Sequence, residues 1–187
     1  GDQVAHQVAH ALPDAAPRCE GCGVSLGERA SALPARALDL VPTGEGVSDV
    51  ALPGGGKSAR DPFKTALGAA IYPLYRRLLF GLAGYPAVGE DFAAAQAALA
   101  RSAGAGGDLL ELSCGPGVFT ARFARAGAWR SVTASDFSAA MLCECGKALS
   151  GALGEARAAE VALVRADVAR LPFQDASFDA VHAGAAM

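Results

Sequence analysis

Asp108-Leu-Leu-Glu-Leu-Ser-Cys-Gly-Pro-Gly-Val-Phe-Thr120 is the stretch from which the fold is read. Leu109 to Ser113 reads as a short buried strand, and Gly115-Pro116-Gly117 then turns the chain. Val118 to Ala126 follows as a helix with Phe119, Phe123 and Ala126 on one face, and Gly127 ends it. Strand, glycine turn and helix in succession make a ligand cradle. The glycines let backbone approach a ligand where a Cβ would collide, and a helix N-terminus offers unpaired N–H donors. An ordinary βα turn has the same pattern, so the residues further along the chain decide between the two.

Asp136 stands nineteen residues after Gly117, at the end of a second apolar run, Ser131-Val-Thr-Ala-Ser-Asp136. In an open parallel sheet this puts a carboxylate beside the turn, where it can accept hydrogen bonds from two ribose hydroxyls. The arrangement fits an adenosine cofactor, either a nicotinamide dinucleotide or S-adenosylmethionine. A dinucleotide fingerprint needs a third glycine at position 120, which is Thr120. Glu111, facing the cradle from the strand end, suits a ligand that carries an ammonium group.

A third block is Val164-Arg-Ala-Asp167-Val-Ala-Arg-Leu-Pro-Phe173-Gln-Asp-Ala-Ser-Phe178-Asp-Ala-Val181. Taken with Glu-Leu-Ser-Cys-Gly-Pro-Gly and Asp136-Phe-Ser-Ala-Ala-Met141-Leu, it resembles the class I S-adenosylmethionine-dependent methyltransferases, in the branch of the ubiquinone/menaquinone-type enzymes. Three ordered blocks at matching separations are far more specific than any one of them. The likeness is greatest to a plastid-associated plant and algal group. It rests there on Ser113-Cys114, on Val181-His-Ala-Gly-Ala-Ala186 and on Leu79-Phe-Gly-Leu-Ala-Gly-Tyr85-Pro. It spans roughly residues 60–187, and more faintly 19–45. The commoner family turn has glycine where this chain has Ser113, a departure expected to narrow the approach to the methionine end.

The resemblance implies a Rossmann-like α/β fold, S-adenosyl-L-methionine as cofactor and a small-molecule methyl acceptor. It implies that Glu111 faces the methionyl ammonium and that backbone at Cys114, Gly115 and Gly117 wraps the methionine moiety. Asp136 is expected at the ribose, with Phe137 and Met141 near the adenine. Asp167 is expected to accept from the adenine amino group, and the Val168 N–H to meet a ring nitrogen. Apart from the resemblance, Asp167 can be read as a helix N-cap. No catalytic base is evident. His182 is the one candidate, because it ends the fourth strand, although a single strand histidine is more often structural. Phe173 and Phe178 read as core.

The totals agree with one domain plus additions. The chain has 187 residues, 52% hydrophobic and only 19% charged, large enough for a core. A net charge of −3 and the absence of a Lys/Arg cluster argue against a nucleic-acid substrate held by phosphate contacts. No apolar run reaches membrane-spanning length; Ala66 to Leu82 is interrupted by Tyr75-Arg-Arg77. No targeting segment is visible, the first residue being Gly1; the resemblance alone points to a plastid, and otherwise to the cytoplasm. Five cysteines, odd in number and without disulfide-like spacing, suit a reducing compartment.

Residues 1–60 read as a flexible leader with a Gly/Pro-rich linker at its end. Cys19-Glu-Gly-Cys22 is a half-site of the zinc-knuckle type, and His6 and His10 lie one helical turn apart. A structural zinc needs four ligands, and the second Cys-x-x-Cys pair of the resembled group is missing, so no metal is expected. Gly54-Gly-Gly56-Lys57-Ser58 is not a phosphate loop, since position 51 is Ala51 and Pro62 follows soon after. Residues 61–104 read as a helical cover: two short helices between Phe63 and Leu82, divided at Pro73, then a helix from Val88 to Ser102.

Residues 105–187 form the cofactor domain. Ser138 caps a helix whose stripe is Met141, Leu142, Cys145, Ala148 and Leu149, with Gly151 and Gly154 at its end. Val161 to Arg165 is the third strand and Phe178 to Ala183 the fourth, and right-handed crossovers give the order 3-2-1-4. The sequence stops at Met187, so the later strands of the resembled fold are expected to be absent and the fourth strand to lie on an edge that invites aggregation. The alternatives are a non-catalytic cofactor-binding fragment, then an RNA methyltransferase or a nicotinamide oxidoreductase.

Overall fold

The computed structural model describes residues 65–104, 106–169 and 171–184. The apolar runs form four strands: β1 (Asp108–Leu112), β2 (Ser131–Asp136), β3 (Val161–Arg165) and β4 (Ala180–Ala183). They pair in parallel in the order β3-β2-β1-β4. Nearly every residue of β1, β2 and β3 is buried, as in a parallel sheet covered on both faces. The sheet order follows the sequence expectation. β4 begins at Ala180 rather than Phe178, because Asp179 closes onto the start of β1. Its N–H donates to the Asp108 carbonyl at 2.9 Å, and its carboxylate accepts from the Asp108 N–H at 2.8 Å.

Helices flank this sheet on either side in the chain. Helix α1 (Ala66–Leu82) is continuous, a correction to the two helices expected around Pro73. Proline removes one backbone donor, and the Ala, Leu and Arg around it are strong helix formers that carry the helix through. Thr65 caps it, accepting from the Gly68 N–H at 3.1 Å. Leu67, Ile71, Leu74, Leu78 and Leu82 of α1 are exposed, while Tyr72, Arg76 and Phe80 turn inward. Helix α2 (Val88–Ala103) ends at Gly104 with φ 74°.

Helix α3 (Thr120–Ala126) starts two residues later than the periodicity suggests, since residues 115–119 are spent in the turn. Helix α4 (Ala139–Leu153) is capped by Ser138, whose hydroxyl accepts from the Met141 N–H at 3.3 Å. It runs through Gly151 and stops at Gly154, so only the second of the two expected stops is used. The short α5 (Glu155–Ala158) follows, unforeseen in the sequence.

The main core joins Leu109, Phe123, Leu142, Cys145 and Leu149, all fully buried, with Phe92 of α2 packed against Phe119 and Phe123. A smaller cluster of Ala162, Val164 and Ala166 meets Leu171 and Phe173. Phe173 and Phe178 pack edge to face at 5.1 Å, in keeping with their reading as core. No described helix is long and apolar enough to cross a membrane.

Candidate functional site

Three backbone positions in five residues turn left-handed after β1: Ser113 (φ 53°), Gly115 (φ 56°) and Gly117 (φ 78°). Gly115 N donates to Asp136 Oδ2 at 2.8 Å, and Asp136 Oδ1 accepts from the Ser138 N–H at 2.8 Å. One carboxylate thus ties the glycine turn to the cap of α4. Burial raises the Asp136 pKa above the ordinary aspartate value, against the opposing pull of the Ser138, Gly115 and Phe137 N–H groups. Gly117 is needed for packing. A Cβ there would lie 2.5 Å from Cys145 Sγ and 3.0 Å from Cys145 Cα, so the missing side chain lets α4 approach the turn.

Over the turn lies a cavity of about 180 Å³. Its floor is Glu111, Cys114, Gly115 and Pro116, and α1 supplies Tyr72, Arg76 and Phe80 from above, with Tyr85 beyond. Tyr72 approaches to 3.9 Å from where a Cβ of Gly115 would be. Glu111 is buried, and its Oε2 accepts from Thr120 Oγ1 at 2.6 Å. Its Oε1 lies 3.7 Å from Nδ1 of His182, beyond hydrogen-bond reach, and that nitrogen is buried without a hydrogen-bond partner among the described residues. The imidazole is stacked on Phe119 at 5.1 Å and meets Phe123 edge on at 5.2 Å.

Of the residues singled out from sequence, the structure gathers Glu111, Cys114, Gly115 and His182 on this one cavity, with Asp136 directly behind Gly115. Met141 is buried below. The Phe137 carbonyl accepts from Arg165 Nε at 3.0 Å, and the guanidinium lies 6.0 Å from the Phe137 ring. Asp167 does not line the cavity; its Oδ1 accepts from the Ala169 N–H at 2.9 Å in a local turn, and no helix follows it among the described residues, so it caps none. Val168 is half-exposed. Cys19, Cys22, His6 and His10 lie outside the described residues. Among the described residues no group of three or more His, Cys, Asp or Glu is arranged to hold a metal. Cys114 is held as a thiol: its hydrogen bond with Cys145, then burial, raise its pKa well above the usual value. Cys143 is disulfide-bonded, which corrects the expectation of thiols throughout.

Sequence reasoning missed Thr120, Tyr72 and Arg76. Thr120 entered only as evidence against a dinucleotide, yet its hydroxyl orients Glu111. Tyr72, Arg76 and Phe80 recur every four residues, a one-face helical pattern that the expected break at Pro73 concealed.

A parallel sheet in this order, with a glycine turn after β1 and a carboxylate ending β2 beside it, defines a Rossmann-like domain of the class I methyltransferase type. Residues 109–187 match the family described as "Methyltransferase domain". An uncharacterized chloroplastic methyltransferase of Arabidopsis thaliana is 38% identical over 125 residues, covering 67% of this chain and 35% of the relative. A second such protein of the same plant is 36% identical over 146 residues, covering 74% of this chain and 41% of the relative. A solved structure described as an S-adenosyl-L-methionine-dependent methyltransferase, from Methanococcus maripaludis, shares the fold with a TM-score of 0.52 at 21% identity, covering 72% of this chain and 54% of that one. The family match over residues 109–187, the two relatives and the shared fold together support a class I S-adenosylmethionine-dependent methyltransferase. It spans between a third and a half of the length of the curated relatives it matches.

Proposed function

We propose that the protein binds S-adenosylmethionine in the cradle between β1, β2 and α1, and transfers the methyl group to a small-molecule acceptor. The observation that carries this reading is the placement of two carboxylates, Glu111 buried and Asp136 half-buried, on either side of one glycine turn. Glu111 stands on the cavity floor and Asp136 hydrogen-bonds to Gly115 from behind. When bound, the cofactor supplies a methyl group already activated on a sulfonium. The residues hold and orient the reactants.

Glu111 opposes the methionyl ammonium, its geometry fixed by Thr120. Asp136 accepts from the ribose with the lone pairs left over from Gly115 and Ser138. Phe137 and Met141 flank the adenine, Asp167 accepts from its amino group, and the Val168 N–H meets a ring nitrogen. His182 takes the proton that the acceptor O–H or N–H loses as its new bond to carbon forms and the carbon–sulfur bond breaks. The His182 ring lines the cavity together with Glu111 and Gly184. The acidic balance favours a small molecule over a nucleic acid. The two chloroplastic relatives favour a plastid location.

A second reading is favoured by the cavity itself. At about 180 Å³ it is smaller than the roughly 300 Å³ or more of a small-molecule site, room for a methionine end without an acceptor, as in a non-catalytic cofactor-binding protein. Calorimetry with S-adenosylhomocysteine and NADH tests the cofactor. Transfer of a labelled methyl group to an extract of small molecules separates the two readings. Binding of NADH with no response to S-adenosylhomocysteine would overturn both.

A further inference from the structure

The geometry assigns Arg76 as the carboxylate anchor of the cofactor's amino-acid end, which makes α1 part of the cofactor site instead of a cover over it. The inference rests on the cofactor reading above and goes beyond it. Arg76 points from α1 into the cavity that Glu111 floors. Its side chain is only 14% exposed, and its guanidinium lies 4.7 Å from the Phe80 ring centroid and 5.9 Å from that of Phe119. Among the described residues its one ion-pair partner is Asp91, at 3.9 Å and with a side chain 43% exposed. A guanidinium presents five N–H donors in a planar fork, and one loose contact with a half-solvated carboxylate leaves most of them without an anion. Two aromatic faces fix the plane of the group and shield it from water, which strengthens its attraction for an anion inside the cavity.

The ligand supplies the matching charges. Its amino-acid end carries an ammonium and a carboxylate on one carbon, so both must be met within a single small cavity. Glu111 and Arg76 are the buried anion and the shielded cation of that cavity, one on the floor and the other on the roof. The favoured orientation is ammonium toward β1 and carboxylate toward α1, since the reverse sets the ligand carboxylate against Glu111. Asp91, at the rim, holds the fork in place before the ligand arrives.

The test uses Arg76→Met and three ligands. Methylthioadenosine lacks the amino-acid end, and decarboxylated S-adenosylmethionine keeps the ammonium but not the carboxylate. Arg76→Met is expected to weaken S-adenosylhomocysteine by about 10- to 100-fold, the scale of a charge-assisted hydrogen-bonded pair, and to leave methylthioadenosine unchanged. The wild-type protein is expected to prefer S-adenosylmethionine over its decarboxylated form by a similar factor, and the variant to lose that preference. If Arg76→Met does not fold, Arg76→Lys takes its place with an expected loss of about 3- to 10-fold, because a single ammonium cannot make the forked contact. Equal losses for S-adenosylhomocysteine and methylthioadenosine would show a merely structural role and overturn the assignment, as would no loss for either. Failure of the wild-type protein to bind S-adenosylhomocysteine would instead overturn the cofactor reading.

Discussion

Glu111 and His182 are direct partners in the register of β1 and β4, and their side chains meet on the cavity wall with Oε1 3.7 Å from Nδ1. The pairing gives the imidazole an anionic neighbour on one side and a ring stack beneath it. Replacing His182 by Phe keeps the stack on Phe119 and Phe123, so stability is expected to change by less than about 1 kcal/mol. Cofactor affinity is expected to hold. Turnover is expected to fall by about 100-fold or more, the scale of a lost general base. Unchanged turnover in a labelled-methyl assay would remove His182 from the mechanism.

Asp136 makes cofactor binding sensitive to acid at an unusual point. Burial raises its pKa above the ordinary aspartate value, so the carboxylate is lost at a higher pH than in an exposed aspartate. Affinity is expected to be full above that raised pKa and to fall as pH drops through it. The stability contribution of the same group runs the other way. A raised native pKa gives stability that is present below the unfolded value and lost as pH rises through the native one. Calorimetric titration with S-adenosylhomocysteine across the acid range should show the first trend, and Asp136→Asn should flatten it. Asp136→Ala is expected to cost about 2–4 kcal/mol of cofactor binding, from two charge-assisted hydrogen bonds. An unchanged affinity would take the carboxylate away from the ribose.

Gly117→Ala is expected to destabilise the fold by about 2–4 kcal/mol, combining a left-handed backbone with overpacking against α4. The new methyl group meets both the sulfur and the Cα of Cys145. Adding Cys145→Ala removes only the first of those contacts, so chemical denaturation of the double variant should show partial recovery. Full recovery would mean that the positive φ costs nothing here.

Ser113 offers a change in the opposite direction. It holds φ 53° without a left-handed specialist's freedom, and it is exposed. Ser113→Gly is expected to raise stability by about 0.5–1 kcal/mol, the relief of the left-handed backbone less the entropy glycine gains when unfolded. A lower denaturation midpoint would show that the serine side chain contributes a contact of its own.

The sheet was legible because parallel buried strands announce themselves as unbroken apolar runs. β2 and β3 lie at the predicted residues, and Ser138 caps the helix assigned to it. Boundaries moved where tertiary contacts decide them. The turn consumed Val118 and Phe119 before α3 could start, and Asp179 was drawn onto Asp108 before β4 could form. The cavity was half legible. Glu111, Gly115 and Asp136 sit near one another at the C-terminal ends of the neighbouring strands β1 and β2, where spacing predicts adjacency. Arg76 reaches the same place from a helix more than thirty residues upstream, and no local pattern states where such a helix will lie.

The double use of Asp136 bears on how this chain can change over evolutionary time. Its carboxylate fastens the glycine turn and the start of α4 whether or not a ligand is present. Drift that abolished methyl transfer would therefore still be penalised for losing this aspartate, through the fold alone. A descendant that had given up chemistry would keep the motif intact, so the motif records ancestry and architecture.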